Sequence, residues 1–333
     1  MMSVENGKGP FPSRREFISL GVGAFVVGTL PLALRGRRQK LVRRTLPVMG
    51  TLGEVAVVHR DEAFAQGAID AAFREVKRVE AVLTRYRTDS EIGLANVNAF
   101  ARPQMVSPET ARVLRQSLSW AESSQGFFDP CLGQAIGLWD VAHRTQPPAE
   151  DRIRKYADRN LYRSLEVGRF SGQDVVVFHE EDMGVDLGGI GKGYGVDRAV
   201  DVLRNRGIEN ALVNLGGDLY AMGVSEDGDP WQVGVQSPDD PDAIVATLPM
   251  SDRGVATSGD YQRYFDYRGH RYHHLLDPHT GAPATIRRRS VTVAADRCMD
   301  ADAAATTAFV APLETARGIM SRVAPDTEVI YTI

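Results

Sequence analysis

The sequence predicts an α+β fold in which mixed or antiparallel sheets pack against helices. The second half of the chain is rich in strand-like runs, while helical patterns occur in both halves. These elements do not alternate strictly, as the strand–helix–strand units of a doubly wound parallel sheet would. The 333 residues are 43% hydrophobic and 25% charged, which is ordinary for a globular protein and supplies ample material for a core.

Hydrophobic spacing and turn residues predict the elements in order. An apolar stripe indicates a helix over 61–87. A second helix follows Ser107 as its N-cap, with Pro108 at its first position and Gly126 beyond its end. The other helices are predicted at 149–159, 196–207, 302–311 and 313–323. The strands are predicted at 45–60, 164–170, 174–179, 210–216, 231–236, 245–250, 262–276 (a hairpin turning at Arg268–Gly269), 290–295 and 328–333. The stretch 254–265 reads as a loop between strands.

Charge and cysteine content exclude two classes of function. A formal net charge of −4 gives no broad basic surface, so nucleic-acid binding is not expected. Cys131 and Cys298 have no His or Cys partners at zinc-ligand spacing, so no zinc site is expected. These two cysteines could pair or stay free.

The N-terminal 44 residues are predicted to be a signal segment followed by a basic linker, with a single catalytic domain over 45–333. Arg14 and Arg15 precede Phe17 and a moderately hydrophobic run over 18–34, the layout of a twin-arginine export signal. The alternative is a short buried helix that follows an accidental arginine pair. The run is too short and glycine-rich for a convincing transmembrane span. We therefore expect an exported protein of the periplasm or cell envelope.

The stretch "GVDLGGIGKGYGVD", from Gly184 to Asp197, lies between a strand-like run and a helical pattern. Glycine at such a junction lets the backbone approach another group closely, often a phosphate at a helix N-terminus. The stretch fits neither of two familiar phosphate motifs, because Gly193 follows Lys192 where a P-loop needs Ser or Thr, and Tyr194 replaces the third glycine of a dinucleotide fingerprint. A glycine-lined turn that lets the helix pack tightly is the competing interpretation.

Asp302 and Thr306 are four residues apart in an alanine-rich helical pattern, so their oxygens share one helix face. A carboxylate, a hydroxyl and a backbone carbonyl form an oxygen set suited to Mg²⁺. Taken alone, Asp302 could equally cap the helix, and Thr306 could bond back to the preceding turn.

Several segments together resemble one family. In chain order they are "PVMGT", "RYRTDSEIGLAN", "GFFDP", "DLGGIGKGYGVD", "LVNLGGD", "ATSGDYQRYF", "HHLLDPHTGAP" and "SVTVAADRCMDADAAAT". Their order and spread over 45–333 resemble the ApbE-like FAD:protein FMN transferases, and ordered motifs are far more specific than any one of them. The resemblance implies the T-fold-related architecture of that family, export, and transfer of FMN from FAD to a Thr or Ser of a partner flavoprotein through a phosphoester bond.

The resemblance also implies the site residues. The carbonyl of Gly189, together with Asp302 and Thr306, matches the family's metal ligands. Most relatives have Ala where this chain has Gly191. The positions that match or adjoin the family's flavin contacts are Met49, Tyr86, Phe127, Phe128, Asp129, Asp186, Lys192, Ser258, His274 and Leu275.

The chemistry expected of such a site is phosphoryl transfer. An acceptor hydroxyl attacks the FMN-side phosphorus of FAD, and AMP leaves. Mg²⁺ and Lys192 can stabilise charge on the phosphate oxygens, and His274 is the expected proton acceptor. His273 would point to the opposite face of an extended stretch.

Two other functions remain open at this stage. Water in place of the protein hydroxyl would make the protein a Mg²⁺-dependent FAD pyrophosphatase. A non-catalytic FAD-binding protein would be indicated by loss of the metal pair or of His274, and both are present. The expected partner is an exported or membrane-bound flavoprotein with a Thr or Ser acceptor, and membrane association is expected only through an uncleaved signal.

Overall fold

The computed structural model describes residues 25–28, 39–240, 242–285 and 288–333. Arg14, Arg15 and most of the hydrophobic run over 18–34 lie outside these residues, so twin-arginine export stays a prediction. Among the described helices, none has the length and apolar content needed to cross a membrane.

The described elements alternate irregularly along the chain. The strands are β1 (Phe25–Gly28), β2 (Lys40–Val48), β3 (Thr51–His59), β4 (Gln104–Met105), β5 (Leu165–Phe170), β6 (Gln173–Phe178), β7 (Ala211–Leu215), β8 (Asp218–Met222), β9 (Trp231–Gln236), β10 (Ile244–Met250), β11 (Arg253–Gly259), β12 (Tyr264–Tyr267), β13 (His270–His273), β14 (Leu276–Asp277), β15 (Ala282–Pro283), β16 (Ser290–Ala295) and β17 (Glu328–Thr332). The helices are α1 (Glu62–Leu83), α2 (Glu91–Asn98), α3 (Pro108–Ser123), α4 (Gly133–Trp139), α5 (Glu150–Arg154), α6 (Gly191–Asn205), α7 (Cys298–Val310) and α8 (Leu313–Val323), with a 3₁₀ turn at Leu161–Ser164.

The largest sheet has seven strands in the order β17–β16–β11–β8–β7–β3–β2, and every pair in it is antiparallel. Helix α6 contacts both α1 and α7, and the three helices cover one face of this sheet. The three-stranded sheet β1–β9–β10 packs on the other face, where Trp231, Val233 and Val235 meet Val58 and Leu219. The predicted α+β class is therefore confirmed.

Helix α7 is almost completely enclosed by the rest of the fold. Each of its residues is buried except Thr306. One side of the helix contacts β11 and β16, while α6 and α8 lie beside it. A helix that is apolar all round is typical of a fold interior, so the polar side chains that α7 carries need partners inside the protein.

Many element predictions hold where local signals are strong. The side chain of Ser107 accepts a hydrogen bond from the Thr110 N–H at 3.2 Å, which confirms this residue as the N-cap of α3. The β12–β13 hairpin turns at Arg268–Gly269, where both residues have positive φ. Cys131 and Cys298 are both free and buried.

Other predictions were wrong in detail. The single strand expected over 45–60 is the β2–β3 hairpin, which turns at Met49 and Gly50, both with positive φ. The loop expected over 254–265 is limited to 260–263, because β11 extends to Gly259 and β12 begins at Tyr264. The predicted first helix ends at Leu83 and not at Arg87. A separate helix, α2, begins after the N-cap Ser90.

Candidate active site

Helix α6 begins inside the glycine-rich segment, at Gly191. A Cβ atom built on Gly193 would lie 2.3 Å from the carbonyl oxygen of Cys298 in α7, and one on Gly195 would lie 2.8 Å from Met49 Sδ. Side chains cannot be accommodated at such distances, so these glycines let α6 cross α7 and the β2–β3 turn at close range. Tight helix packing, one of the two interpretations of this segment, is therefore correct for Gly193 and Gly195.

Gly189 has a different neighbourhood. A Cβ atom there would lie 3.1 Å from Thr306 Oγ1 and 3.2 Å from Phe128 Cε2. The Thr306 hydroxyl is 3.4 Å from Ser258 Oγ, and Asp302 lies one turn earlier on α7. The structure thus brings Gly189 beside Thr306, and so beside the helix face that carries Asp302, although Gly189 is more than a hundred residues away from both in sequence. It also places Ser258 beside them, at the end of β11.

The carboxylate of Asp302 is held at the junction of α6 and α7. Its Oδ2 accepts the Gly193 N–H at 3.0 Å, and its Oδ1 lies 4.0 Å from Lys192 Nζ. Burial raises the pKa of Asp302, while the Lys192 charge and the N–H groups of Lys192 and Gly193 act in the opposite direction. A buried carboxylate needs positive partners, and a bound cation can share that role with Lys192 and the Gly193 N–H.

The donor types at this position fit Mg²⁺. One carboxylate, one hydroxyl and one backbone carbonyl are hard oxygen ligands, and a set this small leaves positions for water or phosphate oxygens. In the part of the chain that the structure describes, no group of three or more His, Cys, Asp or Glu side chains is placed to hold a metal. Hard oxygen donors without a thiolate or imidazole ligand suit Mg²⁺ better than zinc.

Helix capping, the alternative role considered for Asp302, belongs to another residue. Helix α7 begins at Cys298, so Asp302 lies in its second turn. The carboxylate of Asp197 accepts the N–H groups of Cys298 at 2.8 Å and Met299 at 3.0 Å. Burial raises the pKa of Asp197 to about 6, against the lowering effect of those hydrogen bonds and of Arg297. Asp197 thereby ties α6 to the helix that carries the proposed metal ligands, a role that sequence reasoning missed.

The two neighbouring histidines have different environments. His273 is buried, with Nε2 at 3.0 Å from the Ala284 carbonyl oxygen and Nδ1 accepting the Leu275 N–H at 3.3 Å. Both of its ring nitrogens are engaged, and burial lowers its pKa. His274 is half-buried, and its Nδ1 lies 3.4 Å from the Arg263 carbonyl oxygen. Only His274 has a ring nitrogen, Nε2, without a hydrogen-bond partner among the described residues.

Burial lowers the pKa of His274 to about 3, and the charges of His273, Arg263 and Lys192 add to this effect. The ring is therefore neutral near pH 7, where an unprotonated nitrogen can accept the proton of a hydroxyl. A tautomer protonated at Nδ1 donates to the Arg263 carbonyl and leaves the Nε2 lone pair available. The two predicted catalytic residues are thus close enough for the Lys192 charge to act on the His274 ring.

Asp186 is joined to the segment that contains Tyr86. It pairs with Arg85 and accepts the Gly188 N–H at 2.7 Å. The Arg85 guanidinium lies 4.6 Å from the centroid of the Tyr86 ring, and Tyr86 is 75% exposed. An exposed aromatic ring backed by a fixed arginine can stack on a planar ligand. Arg85 is a further residue that sequence reasoning missed, although it stands directly before Tyr86.

The three residues of the Phe127–Phe128–Asp129 segment have different environments. Phe127 is half-buried and packs on His279, with ring centroids 4.5 Å apart, whereas Phe128 is buried beside Gly189. The Asp129 carboxylate accepts the N–H groups of Cys131 at 2.8 Å and Tyr162 at 3.2 Å, and burial raises its pKa to about 6. Asp129 therefore holds its own loop, whatever contact it also makes with a ligand.

Leu275 and Met49 are far apart in sequence, but the segments that contain them are joined through Arg263. Leu275 is buried in the core, and its backbone N–H faces His273. Met49 is half-buried at the β2–β3 turn, against Gly195 of α6. The Arg263 guanidinium reaches the neighbouring Gly50 carbonyl oxygen at 3.2 Å, which joins this turn to the segment of His274.

Known proteins match this chain in sequence and in fold. A model of the ApbE family matches residues 49–331. The chain belongs to the ApbE family. Among curated members, a FAD:protein FMN transferase of Treponema pallidum is 35% identical over 294 residues, covering 83% of this chain and 80% of the relative. One of Vibrio cholerae is 32% identical over 265 residues, covering 78% of each chain.

Solved structures of family members have the same fold. The ApbE protein of Thermotoga maritima matches with a TM-score of 0.76 at 28% identity, over 84% of this chain and 90% of that one. The flavin transferase ApbE of Vibrio cholerae matches with a TM-score of 0.73 at 28% identity, over 85% of this chain and 91% of that one. The predicted flavin transferase architecture is therefore confirmed for this ApbE-family protein.

Proposed function

We propose that this ApbE-family protein transfers FMN from FAD to a Thr or Ser hydroxyl of a partner flavoprotein, with Mg²⁺ as cofactor and AMP as the second product. The observation that carries the proposal is the convergence of Gly189, Asp302 and Thr306 beside Lys192. An oxygen-ligand cation site next to a lysine suits a diphosphate substrate. The relatives named FAD:protein FMN transferase support FAD as that substrate.

The proposed magnesium ligands are the Asp302 carboxylate, the Thr306 hydroxyl and the Gly189 carbonyl. A bound Mg²⁺ would neutralise charge on the diphosphate oxygens as it develops during transfer. Lys192 adds ammonium N–H groups that can donate to the same oxygens.

The proposed proton acceptor is His274. The acceptor hydroxyl oxygen forms a bond to the FMN-side phosphorus, the bridging P–O bond to AMP breaks, and the hydroxyl proton passes to His274 Nε2. The electron pair of the broken bond leaves on the AMP phosphate. His273 and Asp260 are poorer candidates, because the ring nitrogens of His273 are engaged and Asp260 is paired with Arg289 at 2.7 Å and 2.9 Å.

The decisive experiment separates transfer from hydrolysis. The protein is incubated with FAD, Mg²⁺ and candidate exported flavoproteins, and each acceptor is weighed intact by mass spectrometry. The proposal expects one FMN adduct per acceptor, together with AMP. Release of FMN and AMP without an adduct on any acceptor would instead identify a FAD pyrophosphatase, and FAD that stays intact would indicate a binding protein.

We further propose that the protein is exported to the periplasm or cell envelope by the twin-arginine route and meets an exported or membrane-bound acceptor there. Arg14 and Arg15 ahead of a weakly hydrophobic run support this. Replacement of both arginines by lysine should retain the protein in the cytoplasm. Unchanged export of that double variant would contradict the twin-arginine proposal and leave the chemistry unaffected.

A further inference from the structure

Lys192 has a partner that the proposed mechanism does not use. Its Nζ pairs with Oδ2 of Asp218, the first residue of β8, while the carboxylate of Asp302 lies 4.0 Å away. The Asp218 side chain is 3% exposed, compared with 29% for Lys192. Among the described residues no other side chain pairs with Asp218, so this buried carboxylate depends on Lys192 for its compensation.

We infer that Asp218 is a positioning residue, which fixes the ammonium group of Lys192 at the diphosphate site. The inference rests on the role proposed for Lys192 above. A buried carboxylate without a partner is strongly unfavourable, so Lys192 cannot swing away to solvent without leaving that charge uncompensated. A flexible lysine, which otherwise has many rotamers, is thereby restricted to one region of the site.

The turn before Asp218 is built to hold it there. Gly216 and Gly217 both have positive φ, and the Gly217 N–H donates to Asn214 Oδ1 at 2.9 Å. A Cβ atom on Gly216 would lie 2.4 Å from Thr51 Oγ1, so the β7–β8 turn packs directly on the start of β3. The position of Asp218 is therefore set by the central sheet.

The ion pair leaves Lys192 with donors to spare. An ammonium group has three N–H donors, and a contact with Asp218 uses one of them. The others can reach diphosphate oxygens on the side that faces Asp302. As a neutral pair, Lys192 and Asp218 add little net attraction for an anion, so their effect should lie in the placement of charge for the transferring phosphate more than in FAD affinity.

Asp218→Asn tests the inference, because it keeps the shape of the side chain and removes its charge. We expect the transfer rate at saturating FAD to fall about 10- to 100-fold, the effect of a misplaced catalytic group. FAD affinity should stay the same or increase, because the site gains one net positive charge. Single-turnover rates and FAD binding measured by flavin fluorescence give the two quantities separately.

The double variant Lys192→Met/Asp218→Asn decides whether Asp218 acts through Lys192. In that background the Asp218 substitution should cause no further loss of rate. The matched control is Asp300→Asn, which alters a buried carboxylate that accepts hydrogen bonds from Gln116 and Trp120 and does not pair with Lys192. This variant should keep the wild-type relation between the transfer rate and the FAD affinity.

A further rate loss from Asp218→Asn in the Lys192→Met background would overturn the inference, as would an unchanged rate in the single variant. A wild-type rate for Lys192→Met alone would instead contradict the role proposed for the lysine. Should Asp218→Asn fail to fold, Asp218→Glu keeps the charge and shifts the ammonium group. It should lower the rate without raising FAD affinity, and an unchanged rate would again overturn the inference.

Discussion

The proposed metal ligands and the proposed base lie in two regions that differ in construction. Asp302 and Thr306 belong to α7, which is buried between the sheet and two other helices, and Gly189 stands just before α6. His274 follows β13, whose hairpin partner β12 includes the 40% exposed Tyr264. The metal side is thus part of the core, whereas the base side is half-buried and adjoins an exposed hairpin.

The fixation of the two sides differs accordingly. Asp302 accepts a 3.0 Å hydrogen bond from Gly193, and α7 itself is tied to α6 by Asp197. Among the residues that the structure describes, the His274 ring is held only at Nδ1, by the Arg263 carbonyl oxygen at 3.4 Å. A side that must bind a cation repeatedly gains from a rigid frame. A base that must meet the hydroxyl of another protein gains from a position at the surface, where that protein can approach.

The largest expected effect comes from a substitution on the base side. His274→Ala removes the proposed proton acceptor, so the rate of FMN transfer should fall by roughly 10²- to 10⁴-fold. The affinity for Mg²⁺ should stay close to that of the wild type, because no metal ligand is touched. Raising the pH should restore part of the rate, since hydroxyl deprotonation then depends less on the protein. A wild-type rate at saturating FAD would show that the base lies elsewhere.

The second largest effect is expected on the metal side. Asp302→Ala removes the only carboxylate of the proposed ligand set and leaves Thr306 and the Gly189 carbonyl, both neutral. The apparent Mg²⁺ affinity should fall by at least about 100-fold, given that even residues supporting a ligand contribute 10- to 100-fold. Activity should partly return at high Mg²⁺ concentration. A titration of activity against Mg²⁺ measures this shift, and an unshifted midpoint would remove Asp302 from the metal site.

The smallest effect concerns stability and compares two glycines of α6. Gly193→Ala places a methyl group 2.3 Å from the Cys298 carbonyl oxygen, and should lower the free energy of unfolding by about 1–3 kcal/mol. Gly191→Ala meets only Leu187 Cβ at 3.5 Å, an ordinary contact, and should be neutral or stabilising by up to about 1 kcal/mol. Denaturant unfolding of both variants is the measurement. Equal effects would show that the α6–α7 crossing is looser than the structure has it.

Local signals explain which elements the sequence predicts. The helix α3 has an N-cap serine, a proline at its first position and a regular apolar stripe, so its start was predicted correctly. The strand β11 contains the polar run Thr257–Ser258–Gly259, whose burial comes from neighbours on β16 and α7. Nothing within the run itself distinguishes such a strand from a loop.

The same difference between local signals and distant contacts applies to the candidate site. Ordered motifs indicated Gly189, Asp302 and Thr306 as metal ligands, and in the structure Gly189 lies beside Thr306, one turn of α7 from Asp302. Helix α7 was predicted to begin at Asp302, because an aspartate ahead of an alanine run is typical of an N-cap. The true start is capped by Asp197, which is 101 residues away from Cys298 in sequence. The pairing of Lys192 with Asp218 is likewise a contact between distant elements, and no spacing in the sequence indicates it.

The most direct test of a divided site is the yield of FMN–acceptor adduct as a function of Mg²⁺ concentration, measured by intact mass for three proteins in parallel. The wild type should reach its plateau at low Mg²⁺. His274→Ala should keep the wild-type midpoint and form adduct far more slowly, whereas Asp302→Ala should recover towards the wild-type rate only at much higher Mg²⁺. If both variants slow adduct formation without any change of midpoint, or if the wild type forms adduct equally well without Mg²⁺, the assignment of a metal side and a base side is wrong.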